Sequence, residues 1–132
     1  MKKPKARHNL LAISEQMKAW SAALAAEVGD WPEVSVRSFF GFTALYLGDR
    51  IFAALPRTRG IESANSLAFK LETQGSTVSA RLKKDPRIRT WSGEMKEARW
   101  FTFELSSDAD IHGALDWLGR AYKAAAKSRE SE

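Results

Sequence analysis

The stretch VSVRSFFGFTALYLGDRIFAAL, Val34–Leu55, decides the fold. Phe, Val, Ile, Tyr and Thr dominate it, and these residues suit a pleated, half-buried surface. Gly48-Asp49 reads as a two-residue hairpin turn, because Gly supplies a positive φ without steric cost. This predicts strands over 42–47 and 50–55. Val34, Val36 and the Phe39-Phe40 pair make a preceding strand over 34–40. Gly41 then marks a bend, a bulge or a close approach of another backbone. Such an antiparallel meander has to bury one face against something else.

The flanking segments supply the cover. Before the meander, Leu10, Ile13, Met17, Trp20, Leu24 and Val28 recur at spacings of three and four, so residues 9–28 read as an amphipathic helix. Gly29 stands where a C-cap belongs, and Pro32 prevents resumption. After the meander, Pro56–Ser66 is a polar connection carrying Arg57 and Arg59, long enough to serve as a binding loop. Leu67, Phe69 and Leu71 alternate with Ser66, Ala68 and Lys70, giving a fourth strand. Gln74-Gly75-Ser76 is a turn, with Ser76 as cap of a short helix, STVSARLKKD, whose Val78 and Leu82 face inward. Asp85-Pro86 ends that helix. Residues 87–99 lack an apolar period and, with Gly93, read as a loop or a poorly formed hairpin. Trp100–Leu105 is the fifth strand, with Phe101, Phe103 and Leu105 inward and Trp100, Thr102 and Glu104 outward. Ser107-Asp108-Ala109-Asp110 approximates a capping box. It opens a helix over 108–127, with Ile111, Leu115, Leu118 and Tyr122 on the core side.

The expectation is an α+β fold: a single-layer antiparallel sheet of about five strands, with two long helices and one short one, in the order α-βββ-β-α-β-α. Residues 9–127 form one domain, between a basic tail at 1–8 and a short tail at 128–132. A chain of 132 residues is an ordinary domain size. There is no Cys, which excludes disulfides, thiolate chemistry and Cys-ligated metals. The basic N-terminus is followed by an apolar part broken by Glu15, Gln16 and Lys18, unlike a signal-peptide core. No stretch approaches the ~18 apolar residues a membrane span needs. A cytoplasmic setting is the expectation, with no membrane partner.

Arg37-Ser38-Phe39-Phe40-Gly41, then Leu45-Tyr46-Leu47-Gly48 and Ile51-Phe52-Ala53, resembles the hairpin signature of TfoX N-terminal domains. The similarity continues through Leu67–Lys70 and the helix around Ala114-Leu115-Asp116-Trp117-Leu118. It covers roughly residues 10–127, through short motifs. Phe42 stands where that family has its second Gly, and Ala44 replaces a later one. A YjbR-like group of similar size resembles the chain more distantly. A family labelled luciferase-like shares the ending: an aromatic strand, Ser-x-x-Asp and a helix with Ala-Tyr. The resemblance implies a small bacterial α+β domain, linked in some relatives to transcriptional regulation or proposed DNA binding, and no catalytic residues.

The residues themselves offer little chemistry. His8 and His112 are the only histidines, and Asp108, Asp110 and His112 do not share a helix face, so no metal site is expected. There is no G-x-S-x-G, P-loop or G-x-G-x-x-G, and no cofactor is expected. The formal charge is +5, compatible with an anionic partner. Seven basic residues lie between Arg81 and Arg99 (Arg81, Lys83, Lys84, Arg87, Arg89, Lys96, Arg99), against Asp85, Glu94 and Glu97, with Trp91 among them. Cations beside an aromatic platform suit a phosphate backbone with a stacked base. The expected function is that of a non-enzymatic binding domain contacting nucleic acid through Arg57, Arg59, Lys83, Lys84, Arg87, Arg89 and Trp91. Two rivals stand beside it. One is a protein-interaction module that pairs sheet edges or presents Trp100, Thr102 and Glu104, including to a second copy. The other is a small-molecule binder with a pocket between the sheet and loop 56–66, lined by Phe40, Phe42 and Tyr46. The blander reading of the basic run is a solvated helix face and a charged loop.

Overall fold

The computed structural model describes residues 12–61, 63–72, 75–91 and 99–130, with residues 129 and 130 by backbone alone. The expected tail at 1–8, the helix start at 9–11, Gln74, Lys96 and the loop centre around Gly93 lie outside these residues.

The chain is α+β, as its patterning implies. The elements are α1 (Glu15–Gly29), β1 (Val34–Phe39), β2 (Phe42–Leu47), β3 (Arg50–Pro56), β4 (Ser66–Lys70), α2 (Ser76–Lys84), β5 (Ile88–Thr90), β6 (Trp100–Glu104) and α3 (Asp110–Glu130). All strand pairs are antiparallel, in the order β1-β2-β3-β4-β6-β5. The described residues thus carry six strands where about five were expected: β5 lies within the segment read as a loop or a poorly formed hairpin, and pairs antiparallel with β6. Three residues are too few to show a period of two, and Ile88 is the only strong apolar signal. The strand forms because Ile88 lies opposite Phe103 and is buried with it.

The two long helices follow the sheet on either side in sequence, yet both lie on one face of it. They touch each other, and both pack on β2 and β3. The alternation along the strands explains why. Leu45, Leu47, Leu55, Leu67, Phe69, Phe101 and Phe103 are all essentially buried and make one core with Met17, Trp20, Leu24 and Val28 of α1. Phe69 stacks on Trp117 of α3 at 5.5 Å. A bulge between Leu45 and Tyr46 shifts the β2–β3 register, leaving Phe52 the extra residue, and Phe52 meets Tyr122 at 5.8 Å. The stripe of α3 is turned slightly from expectation. Leu118 is buried, but Ile111, Leu115 and Tyr122 are only partly covered, while Ala114, Trp117, Ala121 and Ala125 take the centre. Small residues let a long helix approach a sheet already filled by four phenylalanines.

The turns show which local signals were sufficient. Gly48 has φ 62, as the first central position of a type II′ hairpin requires. At the β1–β2 hairpin both Phe40 (φ 48) and Gly41 (φ 87) are left-handed, the signature of a type I′ turn. Gly41 also meets close side chains: an added Cβ would lie 2.6 Å from Arg59 Cδ and 2.9 Å from Thr58 Oγ1. Helix α1, expected from residue 9, begins at Glu15, with Ser14 as its N-cap, the Ser14 Oγ accepting from Met17 N at 3.0 Å. Gly75, not Ser76, is the N-cap of α2 and makes no side-chain cap bond. Gly29 is likewise the last helical residue of α1, with Asp30 as C-cap. The left-handed residue that turns the chain toward β1 is Glu33, at φ 64.

Candidate functional site

The basic residues separate into two groups. Arg57 and Arg59 follow β3 and lie against the β1–β2 turn: the backbone N–H groups of Arg57 and Thr58 both donate to Gly41 O at 3.0 Å. Arg59 Nη1 donates to Phe40 O at 3.4 Å. The other five residues sit at the far edge of the sheet, on α2, β5 and the turn between them. With β4 and β6 between β3 and β5, the two groups do not form one surface.

At the far edge, Asp85 and Pro86 stop α2 and turn the chain into β5. Asp85 is extended, with ψ 109, as a residue before proline prefers. The last turn of α2 presents Arg81, Lys83 and Lys84 to solvent, all exposed. Cations at this end complement the helix dipole. Arg81, Lys83, Lys84 and Arg89 have no ion-pair partner among the described residues. Arg99 reaches Glu72 at 3.8 Å, where Lys70 is also bound at 3.0 Å. Trp91 continues β5. Its N–H donates to Trp100 O at 3.0 Å, its ring stands edge-on to Trp100 at 5.6 Å, and it remains 39% exposed.

Arg87 is held differently. Its Nε donates to Asp85 Oδ1 at 2.9 Å, Nη2 to Asp85 Oδ2 at 2.9 Å, and Nη1 to Asp110 Oδ1 at 2.9 Å. The guanidinium lies 4.6 Å over the Phe103 ring, and Gly113 leaves the space beside it. Asp85 also accepts from the Trp117 indole at 3.4 Å, and Asp110 Oδ2 from the backbone N–H groups of Ser106 and Ser107 at 2.7 and 3.2 Å. Arg87 therefore fastens the α2–β5 turn to the start of α3.

The electrostatics agree. The Arg87 hydrogen bonds hold the Asp85 carboxyl below its ordinary range, against the opposing effect of burial. Asp110 is lowered too, chiefly by the Ser106 backbone N–H and then by Arg87. Arg87 is raised, first by its bonds to Asp85, so it stays charged at all ordinary pH. By sequence, Asp85 reads as the end of α2 and Asp110 as a dipole partner at the start of α3. Their shared partner was invisible, because Arg87 and Asp110 are brought together only by the β5–β6 pairing. The same holds for Trp20, whose indole donates to Asp108 at 2.8 Å across 88 residues.

Two open grooves flank this fastening and share Pro86 and Arg87 as their divide. One, of about 710 Å³, is lined by Arg81, Lys84, Asp85, Gly113, Asp116 and Trp117 as well. The other, of about 260 Å³, adds Arg89, Thr102, Glu104 and Ser106. The unpaired cations thus lie on both sides of one ridge, and Trp91 follows Arg89 by two positions along the same strand. Of the outward face expected of β6, Glu104 is exposed but Thr102 is buried. Phe40 stands on the hairpin tip, Tyr46 lies 4.2 Å beneath the Arg37 guanidinium, and Phe42 is half-buried opposite Pro56. His112 is exposed, and among the described residues no three His, Asp or Glu side chains converge as a metal site would need. Among the same residues no helix is long and apolar enough to cross a membrane.

No family model, curated protein or solved structure matches the chain.

Proposed function

We propose that this chain is a binding domain of the TfoX N-terminal or YjbR-like kind, and that its α2–β5 edge takes a nucleic-acid backbone. One observation carries the reading: Arg81, Lys83, Lys84 and Arg89 lie along a single edge without acidic partners among the described residues, beside the half-exposed ring of Trp91. Unpaired cations at a helix C-terminus and an edge strand attract phosphates, and an exposed indole offers a face on which a base stacks. Arg87 contributes by holding the ridge in place, since its guanidinium is engaged by two carboxylates. Arg57 and Arg59 lie outside this footprint.

The test is fluorescence anisotropy with labelled single-stranded DNA, duplex DNA and RNA across a salt series. Four phosphate contacts predict a slope of about −3 to −4 in log K against log salt. Charge reversal at Lys83, Lys84 and Arg89 should abolish binding while leaving the thermal midpoint unchanged. Binding that does not respond to salt, or that survives this reversal, would remove the nucleic-acid reading. Replacing Trp91 by Ala should weaken single strands more than duplex.

A further inference from the structure

The opposite edge of the sheet has a different character. Four large hydrophobic residues are exposed among the described ones, and three belong to the β1–β2 hairpin: Val36 at 47%, Phe39 at 48% and Phe40 at 75%. Phe40 holds a left-handed backbone, φ 48, that a bulky side chain adopts only at a cost. The two phenylalanines meet edge to face at 4.8 Å, which keeps them together at the tip. β1 pairs only with β2 among the described residues, so its other side is a bare strand edge.

The register tells which backbone groups that edge offers. Phe39 and Phe42 flank a two-residue turn, so they exchange hydrogen bonds with each other. By alternation Ser35 and Arg37 also bond toward β2, and Gly48 N donates to Glu33 O at 3.2 Å in the same phase. Val36 and Ser38 therefore direct both N–H and C=O outward. Val34 directs its C=O outward, its N–H being taken by Trp31 O at 3.2 Å.

We propose that this edge pairs with the same edge of a second copy, antiparallel and centred on Val36. In that register Val36 exchanges two bonds with its counterpart across the twofold axis. Ser38 N–H meets the Val34 carbonyl of the second copy, and reciprocally; the Val34 N–H stays with Trp31 O, so this pair makes one bond and the Ser38 carbonyl is left to water. Arg37 lies across from Ser35. A register centred on Arg37 would put two guanidinium-bearing residues opposite each other, which is unfavourable. Arg37 is in any case folded back over Tyr46, away from the free edge. The Val36 register carries the aromatic tip past the end of the partner strand, bringing Phe40 level with the exposed Pro32 of the second copy. Every contact is self-complementary, as a twofold interface demands. The β5 edge has no such property: it is three residues long and carries Arg89.

The area sets the strength. Phe39 and Phe40 together expose about 250 Å². A standard interface buries roughly 800 Å² per partner, so the pair should be weak, with Kd on the order of 10–100 µM.

Sedimentation equilibrium from about 5 to about 500 µM, without nucleic acid, tests this. The wild type should pass from monomer to dimer across that range. Val36→Lys places two ammonium groups at the axis and should weaken the dimer at least about tenfold. Phe40→Gly removes the tip while relieving the left-handed strain, so it should weaken the dimer without loss of fold. Hydrogen exchange at Val36 and Ser38 should slow as concentration rises. A wild type that stays monomeric throughout, or a dimer that neither substitution affects, overturns the proposal. Either result leaves the α2–β5 reading untouched, since that edge is on the other side of the sheet.

Discussion

Replacing Arg87 by Met keeps an unbranched apolar stem over Phe103 and removes the guanidinium. It strands two carboxylates whose side chains are only 13% and 17% exposed, and which both bond Arg87 at 2.9 Å. Breaking a fully buried pair costs about 3–5 kcal/mol. Arg87 itself is 37% exposed, so water replaces part of what is lost, and the figure must be discounted. Asp110 also keeps its bonds from Ser106 and Ser107. A loss of about 2 kcal/mol follows, or roughly 5–8 °C in Tm for a domain of this size. Urea unfolding should show it as a lower midpoint with unchanged slope. The pH dependence adds a second readout. A carboxyl with a depressed folded pKa stabilises the fold above the ordinary range near 4, and that contribution disappears as pH falls through the folded value. The gap between wild type and Arg87→Met should therefore be full above about pH 5 and narrow toward pH 3. Asp110 contributes less to this gap than Asp85, because its shift is chiefly due to a backbone N–H that the substitution leaves in place. A loss below about 0.5 kcal/mol at neutral pH, or a gap independent of pH, would refute the fastening role.

Other substitutions probe the same physics. Gly113→Ala places a Cβ 2.9 Å from Arg87 Nη1 and 3.1 Å from Phe103 Cζ, so it should destabilise by about 1 kcal/mol despite better helix propensity. In the Arg87→Met background the sign should reverse, and a double-mutant cycle in urea reads this directly. Phe40→Gly should raise monomer stability by about 0.5–1 kcal/mol, since Gly adopts φ 48 without strain, as thermal unfolding at low concentration would show. Trp20→Phe removes the indole donor to Asp108 and part of a buried ring, costing about 2 kcal/mol by urea midpoint.

The meander was legible because its signals are local. Strand limits at 42–47 and the start of β4 at Ser66 follow from alternation, and Gly48 from the φ that a hairpin demands. The α1 stripe from Ile13 to Val28 was equally plain. What failed was of two kinds. β5 is too short to carry a period, and the caps expected at Gly29 and Ser76 fall one residue away, at Asp30 and Gly75, because a cap is set by backbone angles that neighbouring residues satisfy equally well. The basic run between Arg81 and Arg99 was visible as composition, but its members looked equivalent.

By itself, then, the sequence determined the class of fold and the inward faces of α1 and β4, because side-chain periodicity is a property of neighbours two to four residues apart. Only the tertiary structure decided which charges are free. Arg87 and Arg89 are two residues apart and of one type. Arg87 precedes β5 and is drawn into bonds with Asp85 and Asp110, whereas Arg89, inside the strand opposite Thr102, meets no ion-pair partner among the described residues. It also placed Arg57 and Arg59 away from the α2–β5 cations, and left the outer edge of β1 without a strand partner among the described residues. Pairing order in a sheet is set by contacts between distant segments, and no local pattern records it.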